Sequence, residues 1–191
     1  MKKIIMTMLV LLVAMTAGAQ NADKLYKEGK ALYDAKDYAA AVPKLQAAAE
    51  KGHRKAQYRL GRCYAKGRGV TENDATAYQW YMKSAEQDYV KAQFRVGKCL
   101  KDGNGVAENR QQAVVWFTKA AKQDHAEAQY YLGKAYLKGK GVAADERKAR
   151  SWLLKAVNNP DGGSEILEEL RQKAANGNED ARAVLSLVGK K

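Results

Sequence analysis

Cysteine, proline, histidine and phenylalanine each occur only twice in this 191-residue chain. Two cysteines, Cys63 and Cys99, cannot build the disulfide framework that supports small exported domains with thin cores. Two prolines, Pro43 and Pro160, leave a β-sandwich without its usual corner residues. Acidic residues are also scarce, 21 against 34 lysines and arginines, so the formal charge is +13. No apolar run reaches the roughly 20 residues that span a bilayer. What the chain does have is 16 glycines, 11 tyrosines and 3 tryptophans, with 46% hydrophobic and 29% charged residues. That balance supports a packed core rather than a disordered chain, and it predicts helices punctuated by glycine turns. Such a basic balance usually points to nucleic acid, but the N-terminus argues otherwise.

Lys2 and Lys3 precede an apolar run from Ile4 to Ala14 that is broken only by Thr7, and Ala17-Gly18-Ala19 follows. A positive start, a short apolar stretch and small residues are the pattern of a removable export signal. We expect cleavage after Ala19 and a mature chain from Gln20, which lowers the charge from +13 to +11 by removal of Lys2 and Lys3. The mature chain is then exported, to a bacterial periplasm or to the medium. It has no integral membrane span, and nucleic acid is not expected as a partner. No cysteine follows the small residues, so a lipid anchor at such a position is excluded.

The remainder is organised by a repeat of 36 residues. Blocks 53–88, 89–124 and 125–160 align without gaps and share nine positions. These are Ala56/Ala92/Ala128, Gln57/Gln93/Gln129, Gly61/Gly97/Gly133, Gly67/Gly103/Gly139, Gly69/Gly105/Gly141, Val70/Val106/Val142, Ala77/Ala113/Ala149, Trp80/Trp116/Trp152 and Lys83/Lys119/Lys155. Within a block, Ala56, Leu60, Gly61 and Tyr64 fall on one helical stripe. Gly67 to Val70 reads as a turn in which glycine permits positive φ. Asn73-Asp74 supplies the cap of a second helix, whose packed face carries Ala77, Trp80, Tyr81 and Ser84 or Ala85. Small residues bring the two helices together, and Trp80 with Tyr64 is expected to fill the space between layers. One such hairpin cannot bury its apolar face alone, whereas a stack of them can.

The stretch A-Q-Y-R-L-G-R-C-Y-A-K-G-R-G-V at 56–70, its counterparts at 92–106 and 128–142, and A-x-x-W at 77–80, 113–116 and 149–152 resemble the Sel1-like repeat. This family is a longer relative of the tetratricopeptide repeat. The resemblance implies an all-α fold, a right-handed α-α superhelical solenoid of helical hairpins. Residues 20–52 lack the glycine-turn insertion and read as an ordinary tetratricopeptide-like hairpin, with Pro43 early in its second helix, where it removes one hydrogen bond and bends the axis. Asn159 to Gly163 reads as a linker ending the last repeat. Ser164-Glu165 should then cap a helix to about Ala175, and 179–188 reads as a closing half-repeat within the capping segment 161–191.

Signatures of chemistry are missing. There is no S-x-x-K, G-x-S-x-G, H-E-x-x-H or Walker phosphate loop, and Gly67-x-Gly69 follows a helix rather than a strand. Helices in such stacks lie about 9–10 Å apart, so His53 and His125, two repeats apart, cannot share a metal ion; both read as turn residues at helix starts. Cys63 and Cys99, one repeat apart, exceed the roughly 7 Å reach of a disulfide and read as free, small, buried thiols. No catalytic residue, cofactor or metal is expected, and the chain reads as a non-enzyme.

In tetratricopeptide-like stacks the first helices line a concave surface, and three positions around the motif glycine face into it. Carried onto this chain, those positions give an aromatic column of Tyr26, Tyr58, Phe94 and Tyr130. Beside it run Lys27, Arg59, Arg95 and Tyr131, then Lys30, Arg62, Lys98 and Lys134. Seven of the eight residues in the last two columns are cationic. Cations beside aromatics suit an acidic protein or peptide, or an anionic envelope polymer. The expected function is therefore an exported, monomeric interaction scaffold. The alternative is an envelope protein that binds or acts on peptidoglycan fragments or β-lactams, since some Sel1-like proteins are linked to β-lactam binding.

Overall fold

The computed structural model describes residues 20–189, and the expected export signal at 1–19 lies outside the described residues. Among the described residues there are ten helices and no strand. They are α1 (20–34), α2 (Tyr38–Glu50), α3 (Arg54–Tyr64), α4 (Asp74–Ala85), α5 (Val90–Asp102), α6 (Arg110–Lys122), α7 (Ala126–Lys138), α8 (Glu146–Val157), α9 (Gly163–Ala175) and α10 (Glu179–Leu187). No described helix is long and apolar enough to cross a membrane. The described residues fall into two compact units, one ending at Tyr89 and one beginning at Val90.

Helix starts follow from side-chain caps. Asn73, Asn109 and Asp145 occupy one repeat position and accept hydrogen bonds from the amides of Thr76, Gln112 and Lys148, at 2.8, 2.9 and 3.0 Å. Each oxygen satisfies an amide that has no partner within its helix. His53 and His125 cap α3 and α7 in the same way, each Nδ1 accepting from the amide three residues on. Burial lowers both imidazole pKa values, which favours the neutral ring that this acceptor role requires. The expected cap at Ser164-Glu165 is corrected: α9 begins two residues earlier, after Gly162, which takes φ 107° and makes no side-chain cap bond.

In the first unit α2 packs on α3 and α3 on α4. Leu45, Leu60 and Cys63 are fully buried there, with Ala41, Ala48, Ala56 and Tyr33 around them. Pro43 lies inside α2 on its exposed side. In the second unit each helix from α5 to α10 packs on its successor. Its far end is closed by Ile166 and Leu170 of α9 and by Ala181, Val184 and Leu185 of α10, set against Leu153, Ala156 and Val157 of α8.

The motif glycine in the middle of each first helix is a socket. A Cβ placed on Gly61, Gly97 or Gly133 would lie 2.7, 2.7 or 2.6 Å from Tyr81, Phe117 or Leu153. Bulk between the paired helices therefore comes from the residue after each tryptophan, while Trp80 and Tyr64 pack against the buried cluster around Leu45 and Leu60. Trp80, Trp116 and Trp152 are only half-buried. Lys83, Lys119 and Lys155 hold their ammonium groups over the indoles at 4.2, 4.2 and 4.7 Å from the ring centroids. This cation–π contact accounts for two of the nine shared positions at once.

The shared glutamine is a buried joint. Gln57 donates to the carbonyl of Ala49 in the preceding hairpin at 3.1 Å and accepts from Gln87 at 2.7 Å. Gln129 donates to the Ala121 carbonyl at 3.3 Å and accepts from Asn159 at 3.1 Å. Asn159, read from sequence as linker, thus takes the place that Gln87 fills in the first unit. The second turn glycine is also a joint. A Cβ on Gly69 (φ 72°) would lie 2.4 Å from the Tyr38 carbonyl oxygen, and one on Gly141 (φ 79°) 2.3 Å from that of Arg110. These two long turns rest backbone to backbone on the start of the preceding hairpin's second helix.

Candidate functional site

In the first unit the side chains of interest sit on α1, α3 and the turn after α3. Tyr33, near the end of α1, is 6% exposed and meets Tyr38 edge-on at 5.1 Å. Three guanidinium groups converge on its ring: Arg59 at 5.2 Å, Arg62 at 5.7 Å and Arg68 at 5.8 Å from the centroid. Arg68 donates to the Tyr33 hydroxyl at 2.7 Å. Arg59 donates to the Tyr26 hydroxyl at 3.5 Å and to Asp34 at 3.1 Å. Asp34 also holds Lys30 at 2.6 Å, and that hydrogen bond is the main cause that lowers the Asp34 pKa. Neither Arg62 nor Arg68 has a carboxylate within ion-pair reach among the described residues. Stacking on tyrosine therefore holds in place cations that carboxylates leave largely unanswered.

Of the residues singled out from sequence in this unit, Lys27, Lys30, Arg59, Arg62 and Tyr26 share that face. Tyr58 does not, because it is 8% exposed and packs against Tyr81 and Tyr89. Tyr26 stacks on the His53 ring at 4.2 Å, so it buttresses a helix cap as well. Sequence reasoning missed Arg68 and Tyr33. Arg68 lies inside the glycine turn, and Tyr33 lies beyond the columns transferred from the family.

Cys63 sits beneath these arginines. Burial pushes its thiol up to about 11, with Arg68, Arg62 and Arg59 opposing the shift. A thiol two units above its ordinary range is roughly a hundredfold poorer in thiolate near neutrality. At pH 8, iodoacetamide is therefore expected to modify the half-exposed Cys99 and to spare Cys63 until the protein is denatured, as read by peptide mass spectrometry. Both thiols are outside any disulfide, as expected, although Cys99 is less buried than the sequence suggested.

In the second unit α5 and α7 carry the equivalent face. Phe94 is 6% exposed and packs on His125, Phe117 and Tyr131, so it belongs to the interior. Arg95 is half-buried on α5. Tyr131 stacks on Phe117 at 5.3 Å, and Lys98 and Lys101 stand over its ring at 5.2 and 5.5 Å. Lys98 also donates to the Tyr131 hydroxyl at 3.3 Å. Tyr130 is raised to about 12, chiefly by burial, with Lys134 over its ring at 5.3 Å.

A cleft of about 430 Å³ opens beside this cluster, lined by Val114, Phe117, Tyr131, Ala135 and by Lys101, Arg110, Lys134, Lys138 and Lys140. Three carboxylates also line it. Asp102 pairs with Lys101, Glu108 with Arg110, and Asp180 with Lys138. Lys134 has no ion pair among the described residues, and burial is the main cause that lowers its pKa. Among the described residues no group of three His, Cys, Asp or Glu side chains could hold a metal ion.

Comparison with known proteins agrees with this anatomy. The family model described as Sel1 repeat matches residues 54–89, 90–125 and 126–161, one residue out of phase with the blocks read from sequence. A solved Sel1 repeat protein from Oxalobacter formigenes is 31% identical, with a TM-score of 0.69, 82% of this chain covered and 72% of that one. The c5321 protective antigen of uropathogenic Escherichia coli, which displays an SLR fold, is 26% identical with a TM-score of 0.69. That match covers 84% of this chain and 39% of the antigen. No curated protein matches the chain.

Proposed function

The chain belongs to the Sel1 repeat family, whose all-helical repeat fold is consistent with a protein-interaction scaffold, and on that premise we propose that it is a non-enzymatic, exported scaffold that holds an acidic protein or peptide. One observation carries the reading: three guanidiniums gather on Tyr33 with Asp34 as the one carboxylate paired among them. Guanidiniums stacked on a ring are already oriented, so less side-chain entropy is lost when carboxylates arrive. The exposed Lys27 and Lys30 extend the positive face along α1, and Lys98, Tyr131 and Lys134 form a second such face on residues 90–191. The signal-like pattern at residues 1–19 supports export, and the mature charge of +11 that follows from it favours acidic partners of the envelope.

A labelled glutamate-rich peptide tests this by fluorescence anisotropy. Lys27→Glu with Arg62→Glu is expected to weaken binding at least about tenfold, two charge reversals in one face, while the helical CD spectrum and melting curve stay unchanged. Binding by the unaltered protein should fall as salt rises. Equal affinity for the peptide before and after the two reversals would overturn the assignment of this face.

A further inference from the structure

The cleft in the second unit shares Tyr131 and Lys134 with the second positive face and adds an enclosed apolar side to it. It lies within residues 101–180, between the end of α5, the start of α6, the length of α7 and the start of α10. Val114, Phe117 and Tyr131 give it an apolar side. Lys134 gives it a positive charge set half into the wall. Its neighbour Lys138 is already paired with Asp180, whereas Lys134 lies over the Tyr130 ring at 5.3 Å and feels Asp180 only from beyond ion-pair contact.

An ammonium that has lost part of its hydration, with no carboxylate in ion-pair contact, is stabilised by an anion brought against it. The apolar side favours a ligand with carbon to bury beside that anion, at about 25 cal/mol for each Å² covered. A volume of about 430 Å³ is in the size range of small-molecule sites, roughly 300–1,000 Å³. We propose that this cleft binds a small organic anion, a carboxylate on a short apolar body. The carboxylate sits at Lys134 and the body lies against Val114 and Phe117. The same chemistry has two sources, a free organic acid or an acidic side chain beside an apolar one in a bound peptide.

Two probes separate the sources: 4-phenylbutyrate, and the blocked dipeptide N-acetyl-Phe-Glu-amide. Each is titrated into ¹⁵N-labelled protein and followed by amide shifts, with 4-phenylbutyramide as the uncharged control. Saturable shifts are expected at Tyr131, Lys134 and Ala135, and not with the amide control. Lys134→Gln should weaken binding at least tenfold, Lys134→Arg should retain it, and Lys51→Gln at the exposed end of α2 should leave it unchanged. Binding of only the free acid, or only the dipeptide, identifies the source and supports the site. Failure of both probes to saturate, or equal binding by Lys134→Gln, overturns it. Neither result bears on the face around Tyr33, which the Lys27→Glu and Arg62→Glu reversals test separately.

Discussion

Gly141→Ala is expected to destabilise residues 90–189 by about 3 kcal/mol, whereas Gly139→Ala, two residues earlier in the same turn, should cost only about 1–2 kcal/mol. Both glycines have positive φ, 63° at Gly139 and 79° at Gly141, and an L side chain there costs about 1–2 kcal/mol. The difference lies in what the new methyl meets. At Gly139 the nearest atom is the Cβ of Ala144 at 3.5 Å, an ordinary contact. At Gly141 it is the Arg110 carbonyl oxygen at 2.3 Å and the carbonyl carbon at 2.5 Å. Backbone cannot rotate away as a side chain can, so the turn must lift off α6, at an overpacking cost of roughly 1–3 kcal/mol. Thermal melts by far-UV CD should show a fall of more than about 10 °C for Gly141→Ala. Equal falls for the two variants would mean that φ alone explains the glycine pair.

The second large effect is a coupling. Leu153 is fully buried, and a Cβ on Gly133 would lie 2.6 Å from its Cγ and 2.9 Å from a terminal methyl. Leu153→Ala should cost about 3 kcal/mol through lost burial and the cavity left behind. Gly133→Ala gains about 1 kcal/mol in helix propensity, yet it forces α7 and α8 apart and should cost about 2 kcal/mol net. Together they should cost at least about 1 kcal/mol less than their sum, because the new methyl enters the space that the leucine vacates. The backbone nitrogen of Leu153, 3.1 Å from the built Cβ, keeps the rescue from being complete. Denaturant unfolding of the wild type and the three variants measures the cycle, and additive costs would deny that the socket exists.

These two cases show why the repeat was legible in sequence and much of the site was not. Identity at nine positions marks places where three copies meet the same backbone constraint. Positive φ at the turn glycines and crowding at Gly61 leave only glycine workable, and capping at the Asn73 position is met by Asn or Asp. The partner of each constraint is freer. Tyr81, Phe117 and Leu153 fill one socket with three different shapes, so identity could not distinguish that position. The binding columns suffered differently. Family geometry placed Tyr58 and Phe94 on a surface, but at these positions the rings pack on Tyr89 and His125 instead. The cluster on Tyr33 depends on Arg68, which reaches it from a turn after α3. The cleft depends on Asp180 and Lys134, 46 positions apart in the chain, a distance that no local pattern spans.

Trp80, Trp116 and Trp152 also furnish one chromophore per repeat, each in nearly the same local setting, with a lysine ammonium over the indole. Replacing any two of the three by phenylalanine leaves a single tryptophan, which red-edge excitation selects over the 11 tyrosines and whose emission wavelength follows the hydration of its own hairpin. Fraying at one end, or melting that spreads from the middle, then becomes visible as a difference in colour between three otherwise equivalent samples, without a foreign dye.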